Sequence, residues 1–355
     1  MSENRMQLDR ERWLRRSVST IWGEGAGIGE VIELRGDAST RRFWRVALTG
    51  TSTEGGSGPQ SAIVIDLGPE DLPRYVRALS LFLEKPSEPP WVNVHRFLTQ
   101  IGVGVPALYA VSIEDRLILV EDLGRVTLFS AALGAAAAAP ALFARAIEEL
   151  ALIHVEGTRN RTSQCVAFSI AYERRLFLWE MNEFVEYGLA NLNWKGPIEP
   201  VRDELAELSD DLGALPRVFS HRDYHGGNLF VRGNRTRVID FQDALMAPAA
   251  QDLAVLLTTR DTAKVISPEL ESELIGYYLN CVRQRGGETP KRSEFAFSYY
   301  RSVLQHALKM IGRFIWLDTS KPGYIDFVPD CIAQVRRVLA ANNDFPILRA
   351  VFGRE

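Results

Sequence analysis

The residues best suited to chemistry lie in two segments, SHRDYHGGNLF from Ser220 and VIDFQDA from Val238. Asn228 follows Asp223 by five positions, and Asp240 follows Asn228 by twelve. A carboxylate can accept or orient the proton of an attacking hydroxyl, whereas an amide oxygen and a second carboxylate are hard donors that suit magnesium. Phosphoryl transfer needs such positioning and charge neutralisation more than covalent participation by the protein. We therefore predict that Asp223 positions an acceptor hydroxyl while Asn228 and Asp240 hold Mg²⁺ against the phosphates of ATP.

This interpretation depends on the joint pattern rather than on any one residue. The triplet 221–223, His-Arg-Asp, also occurs by chance in polar turns between buried strands, and such a turn is the alternative interpretation. With Asn228 at its fixed spacing, however, the segment matches the H-R-D-L-x-x-x-N pattern of protein-kinase catalytic loops, which a metal-binding aspartate follows. Gly226 and Gly227 permit a tight bend between the proton acceptor and the first metal ligand. The joint pattern favours phosphoryl transfer.

Apolar, strand-like residues at 218–220 and 228–240 surround the two chemical segments. The front third of the chain predicts a small mixed sheet with helices. Its expected strands are 31–36, 41–48, 61–67, 106–111 and 116–121, and its expected helices are 8–22, 69–84 and 91–101. Residues 49–60 are rich in Gly, Ser and Thr and predict a mobile surface loop. The remainder reads as mostly helical, and Pro140 is expected to separate two helices.

The change from strand-rich to helix-rich sequence near residue 123 predicts an α+β fold with two lobes. Residues 1–123 would form a β-rich N-lobe that binds nucleotide. Residues 124–355 would form a larger helical C-lobe with the catalytic loop and the acceptor site.

Composition excludes several classes of protein. The chain has 355 residues, 46% hydrophobic content and a formal net charge of −4, which suits a large buried core rather than a basic nucleic-acid-binding domain. No stretch approaches about 18 uncharged apolar residues, and the polar start lacks a secretory signal, so we expect neither a membrane span nor export. The three widely spaced cysteines show no metal-ligand spacing and predict reduced thiols in the cytoplasm.

The segments HRDYHGGNLF and VIDFQDA together resemble the aminoglycoside phosphotransferase superfamily, whose members have a bilobal, protein-kinase-like fold. The resemblance implies ATP and Mg²⁺ as cofactors, with ATP in the cleft between the lobes. It extends to Asp252, in a D-L-A segment whose Asp begins a helix and braces the catalytic loop in that superfamily, and to His154 in an L-x-x-L-H pattern. We expect His221 and Asp252 to support the catalytic loop and His154 to be a packed structural residue. The simpler alternative for Asp252 is an acid at a helix N-terminus.

A narrower resemblance is to the bacterial N-acetylmuramate/N-acetylglucosamine anomeric kinases of cell-wall sugar recycling. The segments that carry it are GDASTRRF from Gly36, LVEDLG from Leu119 and QHALKMIGRF from Gln305. It implies that the sugar's anomeric hydroxyl is phosphorylated and that backbone groups between Glu121 and Leu123 hold the adenine. Backbone amides with Ser39 and Thr40 would cap the phosphates. The alternative for that opening segment is an ordinary hairpin turn.

One feature departs from the fold's usual pattern. Most kinases of this fold carry a Lys on the third strand that pairs with the α- and β-phosphates, but here that strand reads SAIVID from Ser61. Arg41 and Arg42 follow a turn of small residues, so one of them is predicted to face the nucleotide instead. The alternative is a solvated charge pair at the end of a strand.

The acceptor site is predicted on the segment 304–313, which helical numbering divides into two neighbouring faces. The apolar face contains Leu304, Leu308 and Ile311, and the polar face contains Gln305, Lys309, Gly312 and Arg313. We predict that the polar face lines the sugar site and that Lys309 or Arg313 contacts the lactyl carboxylate of N-acetylmuramate. The alternative is that both cations point into water.

Three other functions stay open. Two are small-molecule kinases of the same superfamily, one acting on aminoglycosides and the other on choline or homoserine. Cations after residue 290 argue against a polycationic aminoglycoside as the acceptor. The third is a pseudokinase that binds nucleotide to regulate a partner. The missing Lys favours it, whereas the intact Asp223, Asn228 and Asp240 argue against it.

Overall fold

The computed structural model describes residues 2–34, 41–53, 56–68, 74–79, 88–233, 235–259, 262, 264–341 and 343–353. The chain divides into two compact units. The first comprises residues 1–73, 87–89 and 105–125, and the second comprises residues 74–86, 90–104 and 126–355. The predicted lobe boundary at residue 123 stays a prediction about the organisation of the chain.

An antiparallel sheet is the centre of the first unit. Along the chain the strands of this unit are β1 (Gly27–Leu34), β2 (Arg42–Thr49), β3 (Ser52–Thr53), β4 (Gly56–Ser57), β5 (Ser61–Asp66), β6 (Leu108–Ser112) and β7 (Leu117–Glu121). Five of them form one sheet in the order β1-β2-β5-β7-β6, while β3 pairs with β4 inside the predicted loop 49–60. The five predicted strands are confirmed with bounds shifted by a few residues, except that positions 35 and 36 of the first lie outside the described residues.

The first helix, α1 (Ser2–Trp22), packs on this sheet through one face. Its residues Leu14, Val18 and Trp22 are buried and lie four positions apart, as one face of a helix requires. The sheet contributes residues at i and i+2 of three strands, which place side chains on one face of a strand. These residues are Val46, Leu48, Ala62, Val64, Leu117 and Leu119.

The second unit is mostly helical. Its helices are α2 (Arg74–Leu79), α3 (Pro90–Gln100), α4 (Leu128–Gly134), α5 (Ala139–Arg159), α6 (Arg174–Glu183), α7 (Leu189–Asn191), α8 (Glu199–Gly213), α9 (Ala249–Thr258), α10 (Pro268–Gln284), α11 (Arg292–Asp318), α12 (Val328–Ala340) and α13 (Pro346–Phe352). A π-helical turn, Phe184–Gly188, joins α6 to α7. Pro140 lies in the first turn of α5, which confirms that it separates two helices. Of the predicted helix 69–84, residues 74–79 lie within the described part of the chain and form α2.

The strands of the second unit differ from the prediction. They are β8 (Arg217–Ser220), β9 (Leu229–Arg232), β10 (Arg235–Val238) and β11 (Leu245–Pro248). The predicted strand 228–240 is a hairpin of β9 and β10, because the chain turns at Gly233 with a positive φ of 57°. β8 pairs with β11, a strand that the sequence prediction missed.

The fold class is therefore α+β, as predicted, with an antiparallel sheet in the first unit and mostly helix in the second. Across the described ranges, no helix combines the length and apolar character needed to cross a membrane. The side chains of Cys165, Cys281 and Cys331 are thiols, and all three are buried.

Candidate active site

The predicted catalytic loop, residues 221–228, connects β8 to β9 and is joined at its beginning to Asp252. The backbone N–H groups of His221 and Arg222 donate to the two carboxylate oxygens of Asp252 over 2.7 and 2.8 Å. Asp252 is fully buried and lies in the first turn of α9. It is thus an acid at a helix N-terminus that also binds the loop, so the two interpretations from the sequence are compatible.

His154 on α5 completes the surroundings of this carboxylate. Its Nε2 lies 3.1 Å from Asp252, and its Nδ1 lies 2.7 Å from the hydroxyl of Tyr278. Both ring nitrogens therefore have partners, because the tyrosine hydroxyl can either donate or accept a hydrogen bond. Burial acts to raise the pKa of Asp252, but its contacts with His154 and His221 outweigh burial and hold that pKa below its usual value.

Two residues of the site have left-handed backbone conformations. Arg222 has a φ of 75°, and Asp240 has a φ of 64°. Such conformations cost non-glycine residues about 1–3 kcal/mol and persist where the surroundings determine them. At Arg222 the backbone N–H is held by Asp252, and the Nη2 atom donates to Glu180 over 2.6 Å. These contacts fix the turn that immediately precedes Asp223.

The β9–β10 hairpin brings the two predicted metal ligands to the same end of the site. Its last pair joins Leu229 to Val238, and the next residues are linked by the Ile239 N–H donating to the Asn228 carbonyl over 3.0 Å. His221 Nε2 lies 3.0 Å from the Ile239 carbonyl, which ties the catalytic loop to the chain before Asp240. Antiparallel pairing therefore converts a separation of twelve residues into spatial proximity.

The donor set fits Mg²⁺. The side-chain N–H of Asn228 donates to the backbone carbonyl of Asp223 over 3.0 Å, so its Oδ1 faces away from that bond and accepts no hydrogen bond from a described residue. Asp240 Oδ1 accepts from Gln242 Nε2 over 3.0 Å, and a carboxylate has lone pairs enough to bind a metal in addition to hydrogen-bond donors. Within the described ranges no three His, Cys, Asp or Glu residues are grouped as metal ligands. Two protein oxygens nonetheless suffice for Mg²⁺, which usually keeps waters and substrate phosphates as its other ligands.

Positive charge surrounds Asp223. Burial acts to raise its pKa, but the charges of Arg222 and Lys309, with smaller contributions from His225 and His221, outweigh burial and hold the pKa below its usual value. The carboxylate is therefore ionised at neutral pH and can accept a hydrogen bond from an acceptor hydroxyl.

A buried ionic cluster, defined by Tyr172, Glu180, Arg222, Gln305 and Lys309, joins the catalytic loop to α6 and α11. The Oε1 atom of Glu180 accepts from Arg222 and lies 3.1 Å from Lys309 Nζ, and its other oxygen accepts from the Tyr172 hydroxyl. Gln305 Nε2 lies 3.4 Å from Glu180 Oε2. Sequence analysis did not identify Glu180, because nothing in its local pattern distinguishes it from a solvated helix residue.

Helix α11 carries the predicted acceptor residues, and its surroundings differ from the prediction. The expected apolar face at Leu304, Leu308 and Ile311 is buried as predicted. The expected polar face is not an open stripe, because Lys309 is 7% exposed. Arg313 is partly exposed and pairs with Glu183 of α6 over 2.8 Å. The alternative that both cations point into water is therefore wrong for Lys309, while contact of either cation with the acceptor stays a prediction.

Gly312 explains one element of the α11 sequence pattern. A Cβ atom at this position would lie 2.2 Å from the Glu183 carbonyl carbon and 2.4 Å from the Phe184 nitrogen. Both are backbone atoms, which cannot rotate away, so the crossing of α6 and α11 requires glycine here.

We expect Gly312→Ala to lower the free energy of unfolding by at least about 1–3 kcal/mol, because overpacking outweighs the gain in helix propensity. Chemical denaturation measures this. Gly276→Ala in α10 is the matched control, since its new Cβ would meet the end of the flexible Arg292 side chain at 3.3 Å. That control should be neutral or slightly stabilising, and equal losses in the two variants would contradict the packing argument.

The predicted nucleotide residues lie in the first unit. Ser39 and Thr40 are outside the described residues. Arg42 is about half exposed and donates to Glu33 over 2.9 and 3.0 Å, a contact expected of a strand-end charge pair. A role for Arg41 or Arg42 at the phosphates stays a prediction.

A partly buried ion pair that the sequence prediction missed fixes the segment after β7. Arg45 Nε and Nη2 donate to the two carboxylate oxygens of Asp122 over 2.6 and 3.0 Å, and Ser61 donates to the same carboxylate over 2.7 Å. The Gly124 N–H also donates to Asp122, over 2.9 Å. Burial acts to raise the pKa of Asp122, but these contacts outweigh it and hold the pKa below its usual value. They fix the backbone on both sides of Leu123.

Aromatic packing supports the segment that follows Asp240. The centroid of the Phe241 ring lies 5.1 Å from that of Trp91 and 5.9 Å from that of His95, both on α3. The Trp91 and His95 rings stack on each other with their centroids 5.1 Å apart. Phe241 is fully buried. Helix α3 therefore packs directly behind the predicted metal-binding residue.

Comparison with known proteins agrees with this arrangement. The phosphotransferase enzyme family, APH, matches residues 56–288. An N-acetylmuramate/N-acetylglucosamine kinase from Caulobacter vibrioides is 28% identical over 328 residues, covering 85% of this chain and 86% of the relative. A kinase of the same name from Neisseria meningitidis is 26% identical over 312 residues, covering 85% of this chain and 83% of the relative.

Solved structures show the same fold at low sequence identity. A choline kinase from Cryptosporidium parvum aligns with a TM-score of 0.63 at 13% identity, over 99% of this chain and all of the other. An ADP-bound aminoglycoside phosphotransferase aligns with a TM-score of 0.53 at 16% identity, over 87% of this chain and 93% of the other. The predicted bilobal kinase-like fold, with a β-rich N-lobe and a helical C-lobe, is thereby confirmed. The family match covers well over half of the chain, and the protein belongs to the phosphotransferase enzyme family.

Proposed function

We propose that this protein is an ATP- and Mg²⁺-dependent kinase that phosphorylates the anomeric hydroxyl of N-acetylmuramate, N-acetylglucosamine or both. The observation that carries the choice of acceptor is the likeness to kinases of that name over more than four fifths of both chains. A cytoplasmic location is part of the proposal, because the three cysteines are thiols, as expected in a reducing compartment that supplies ATP.

The proposed mechanism assigns one task to each part of the site. Asp223 orients the anomeric hydroxyl and accepts its proton, and its ionised state suits that task. The Oδ1 of Asn228 and a carboxylate oxygen of Asp240 hold the metal. Bound Mg²⁺ would neutralise charge on the phosphate oxygens during transfer. His221 and Asp252 hold the loop through backbone contacts, so both act by positioning.

Nucleotide binding is proposed on the segment between Glu121 and Leu123, with Ser39, Thr40 and either Arg41 or Arg42 at the phosphates. The Glu121 N–H already donates to the Ala107 carbonyl over 2.9 Å. The backbone of Leu123 makes no hydrogen bond to a residue in the described part of the chain, which supports its assignment to adenine. In this proposal the side chains of Arg45 and Asp122 do not contact the nucleotide, and they act only by holding the backbone of this segment.

An assay of nucleotide consumption with a panel of acceptors tests the proposed function. We expect turnover with N-acetylmuramate or N-acetylglucosamine and a product phosphate bonded to the anomeric carbon, which ¹H–³¹P correlation NMR identifies by coupling of the phosphorus to the anomeric proton. Turnover with choline, homoserine or an aminoglycoside alone would replace the proposed acceptor. Nucleotide binding without turnover on any acceptor would favour the pseudokinase.

The acceptor residues predict a difference between the two sugars. A cation near the lactyl carboxylate gains a charge-assisted hydrogen bond of about 1.5–3 kcal/mol, or roughly ten- to a hundredfold in specificity. We therefore expect Lys309→Ala or Arg313→Ala to lower kcat/KM more for N-acetylmuramate than for N-acetylglucosamine. Arg292→Ala, at the exposed start of α11, is the control and should leave the ratio unchanged. Equal losses on both sugars, or none, would remove both cations from acceptor recognition.

A further inference from the structure

Glu180, in the middle of α6, is a buried carboxylate that contacts four polar side chains. Its side chain is 0% exposed. Arg222 Nη2 lies 2.6 Å and Lys309 Nζ 3.1 Å from the same oxygen, Oε1, while Tyr172 and Gln305 contact Oε2. One carboxylate therefore meets both the catalytic loop and the helix proposed to bind the acceptor.

The contact with Arg222 connects Glu180 to the catalytic loop. Arg222 has the left-handed φ of 75° and is followed directly by Asp223. Its backbone is held by Asp252, whereas its guanidinium is held by Glu180. A strained turn fixed at both backbone and side chain has little freedom to relax, which is what precise placement of the next residue needs.

The same guanidinium extends the network to the metal-binding segment. Arg222 Nη1 lies 3.9 Å from the Asp243 carboxylate, and Gln242 donates to both Asp243 and Asp240, over 3.4 and 3.0 Å. The arginine anchored by Glu180 thus lies between the loop of Asp223 and the segment of Asp240. A change in the position of this arginine would therefore disturb both the loop of Asp223 and the segment of Asp240.

We propose that Glu180 is a positioning residue for phosphoryl transfer, which acts by fixing Arg222 and hence the orientation of Asp223. The proposal rests on the proposed function for the reaction but not for the identity of the sugar. The competing explanation is purely structural, in which Glu180 only neutralises the buried charge of Lys309.

Glu271 on α10 provides a matched control. It is 5% exposed, accepts from Arg337 over 2.6 and 3.0 Å and accepts from the Tyr299 hydroxyl over 2.7 Å. Glu180 likewise has an arginine and a tyrosine as partners, but the partners of Glu271 belong to α11 and α12. Glu180→Gln and Glu271→Gln therefore remove comparable buried charges, and only the first touches the catalytic loop.

We expect Glu180→Gln to lower kcat on the order of a hundredfold, with the KM for ATP changed by less than about threefold. Glu271→Gln should lose stability but keep kcat within about threefold. If Glu180 acts through Arg222, adding Glu180→Gln to Arg222→Met should cost less than about threefold more than Arg222→Met alone. Unchanged kcat in Glu180→Gln, or additive losses in the double variant, would overturn the proposal.

Two further measurements keep the test decisive. If Glu180→Gln folds poorly, the double variant Glu180→Gln/Lys309→Met keeps the net charge of the cluster. Recovery of both stability and kcat on N-acetylglucosamine in the double variant would show that Glu180 only neutralises Lys309, and would overturn the proposal.

Amide hydrogen exchange of peptides covering residues 221–227 should accelerate in Glu180→Gln but not in Glu271→Gln. Because exchange needs no acceptor, absence of parent turnover with either sugar would reject the proposed acceptor while equal exchange in all variants would reject the role of Glu180.

Discussion

Replacement of Asp223 by alanine is expected to lower kcat by about a hundred- to ten-thousandfold, the usual contribution of a general base, with little change in nucleotide affinity. The structure predicts that the loop survives this change. The backbone carbonyl of Asp223 accepts from the Asn228 side chain and from the His225 N–H, both over 3.0 Å, and these bonds do not involve its carboxylate. Steady-state kinetics and nucleotide titration measure the two quantities separately.

Asp223→Asn sharpens this test, because it keeps the shape of the side chain and removes its negative charge together with its ability to accept the proton. It should lose about as much kcat as the alanine variant if proton transfer is the main contribution. Asp211→Ala, which removes the carboxylate paired with Arg301 on α11, controls for the loss of a negative charge elsewhere. Turnover of Asp223→Ala within about threefold of the parent would remove Asp223 from the mechanism.

The candidate site could be located from the sequence because its predicted residues are close together along the chain. Asp223 and Asn228 share one loop, and Asp240 follows a two-stranded hairpin whose pairing returns the chain to Asn228. The sequence indicated one strand at 228–240, whereas the structure has a hairpin there. This difference does not affect the site, because Asn228 and Asp240 lie at the open end of the hairpin. The five strands of the first sheet were likewise predictable from runs of β-branched and apolar residues.

Contacts over long separations in sequence could not be predicted. Glu180 lies 42 residues from Arg222 and 129 from Lys309, and Arg45 lies 77 from Asp122. The periodicity of apolar residues shows which face of a helix is buried, but it does not show which charged residue of another element a side chain contacts. For the same reason α11 was expected to present an open polar stripe, whereas a helix packed on several sides buries its polar residues against partners from other elements.

The closest approach of two helices was also outside the reach of pattern analysis. Gly312 belongs to a segment that resembles a family of kinases, but the reason for glycine lies in the backbone of Glu183 and Phe184. The sequence shows only that a helix contains a small residue. The structure is needed to show that two backbones cross at that residue.

Magnesium dependence gives the second large expected effect. Asp240→Asn should weaken Mg²⁺-dependent ATP binding and lower kcat/KM by at least about a hundredfold, since even outer-sphere partners of metal ligands contribute about ten- to a hundredfold. Asn228→Ala should lose less metal affinity, because a neutral amide oxygen supplies no charge to a divalent ion. Isothermal titration with ATP at several Mg²⁺ concentrations, together with activity, measures both variants.

Recovery by excess metal distinguishes ligand loss from a folding defect. If Asp240 and Asn228 hold Mg²⁺, raising its concentration should restore part of the activity of each variant, because weaker binding is offset by mass action. The effect in Asn228→Ala should be less complete, since the same side chain donates to the Asp223 carbonyl and its loss also loosens the catalytic loop. Asp210→Asn, on the exposed face of α8, controls for a change of one charge and should respond to Mg²⁺ as the parent does. Undiminished activity of Asp240→Asn or Asn228→Ala at submillimolar Mg²⁺ would contradict the assignment of that ligand.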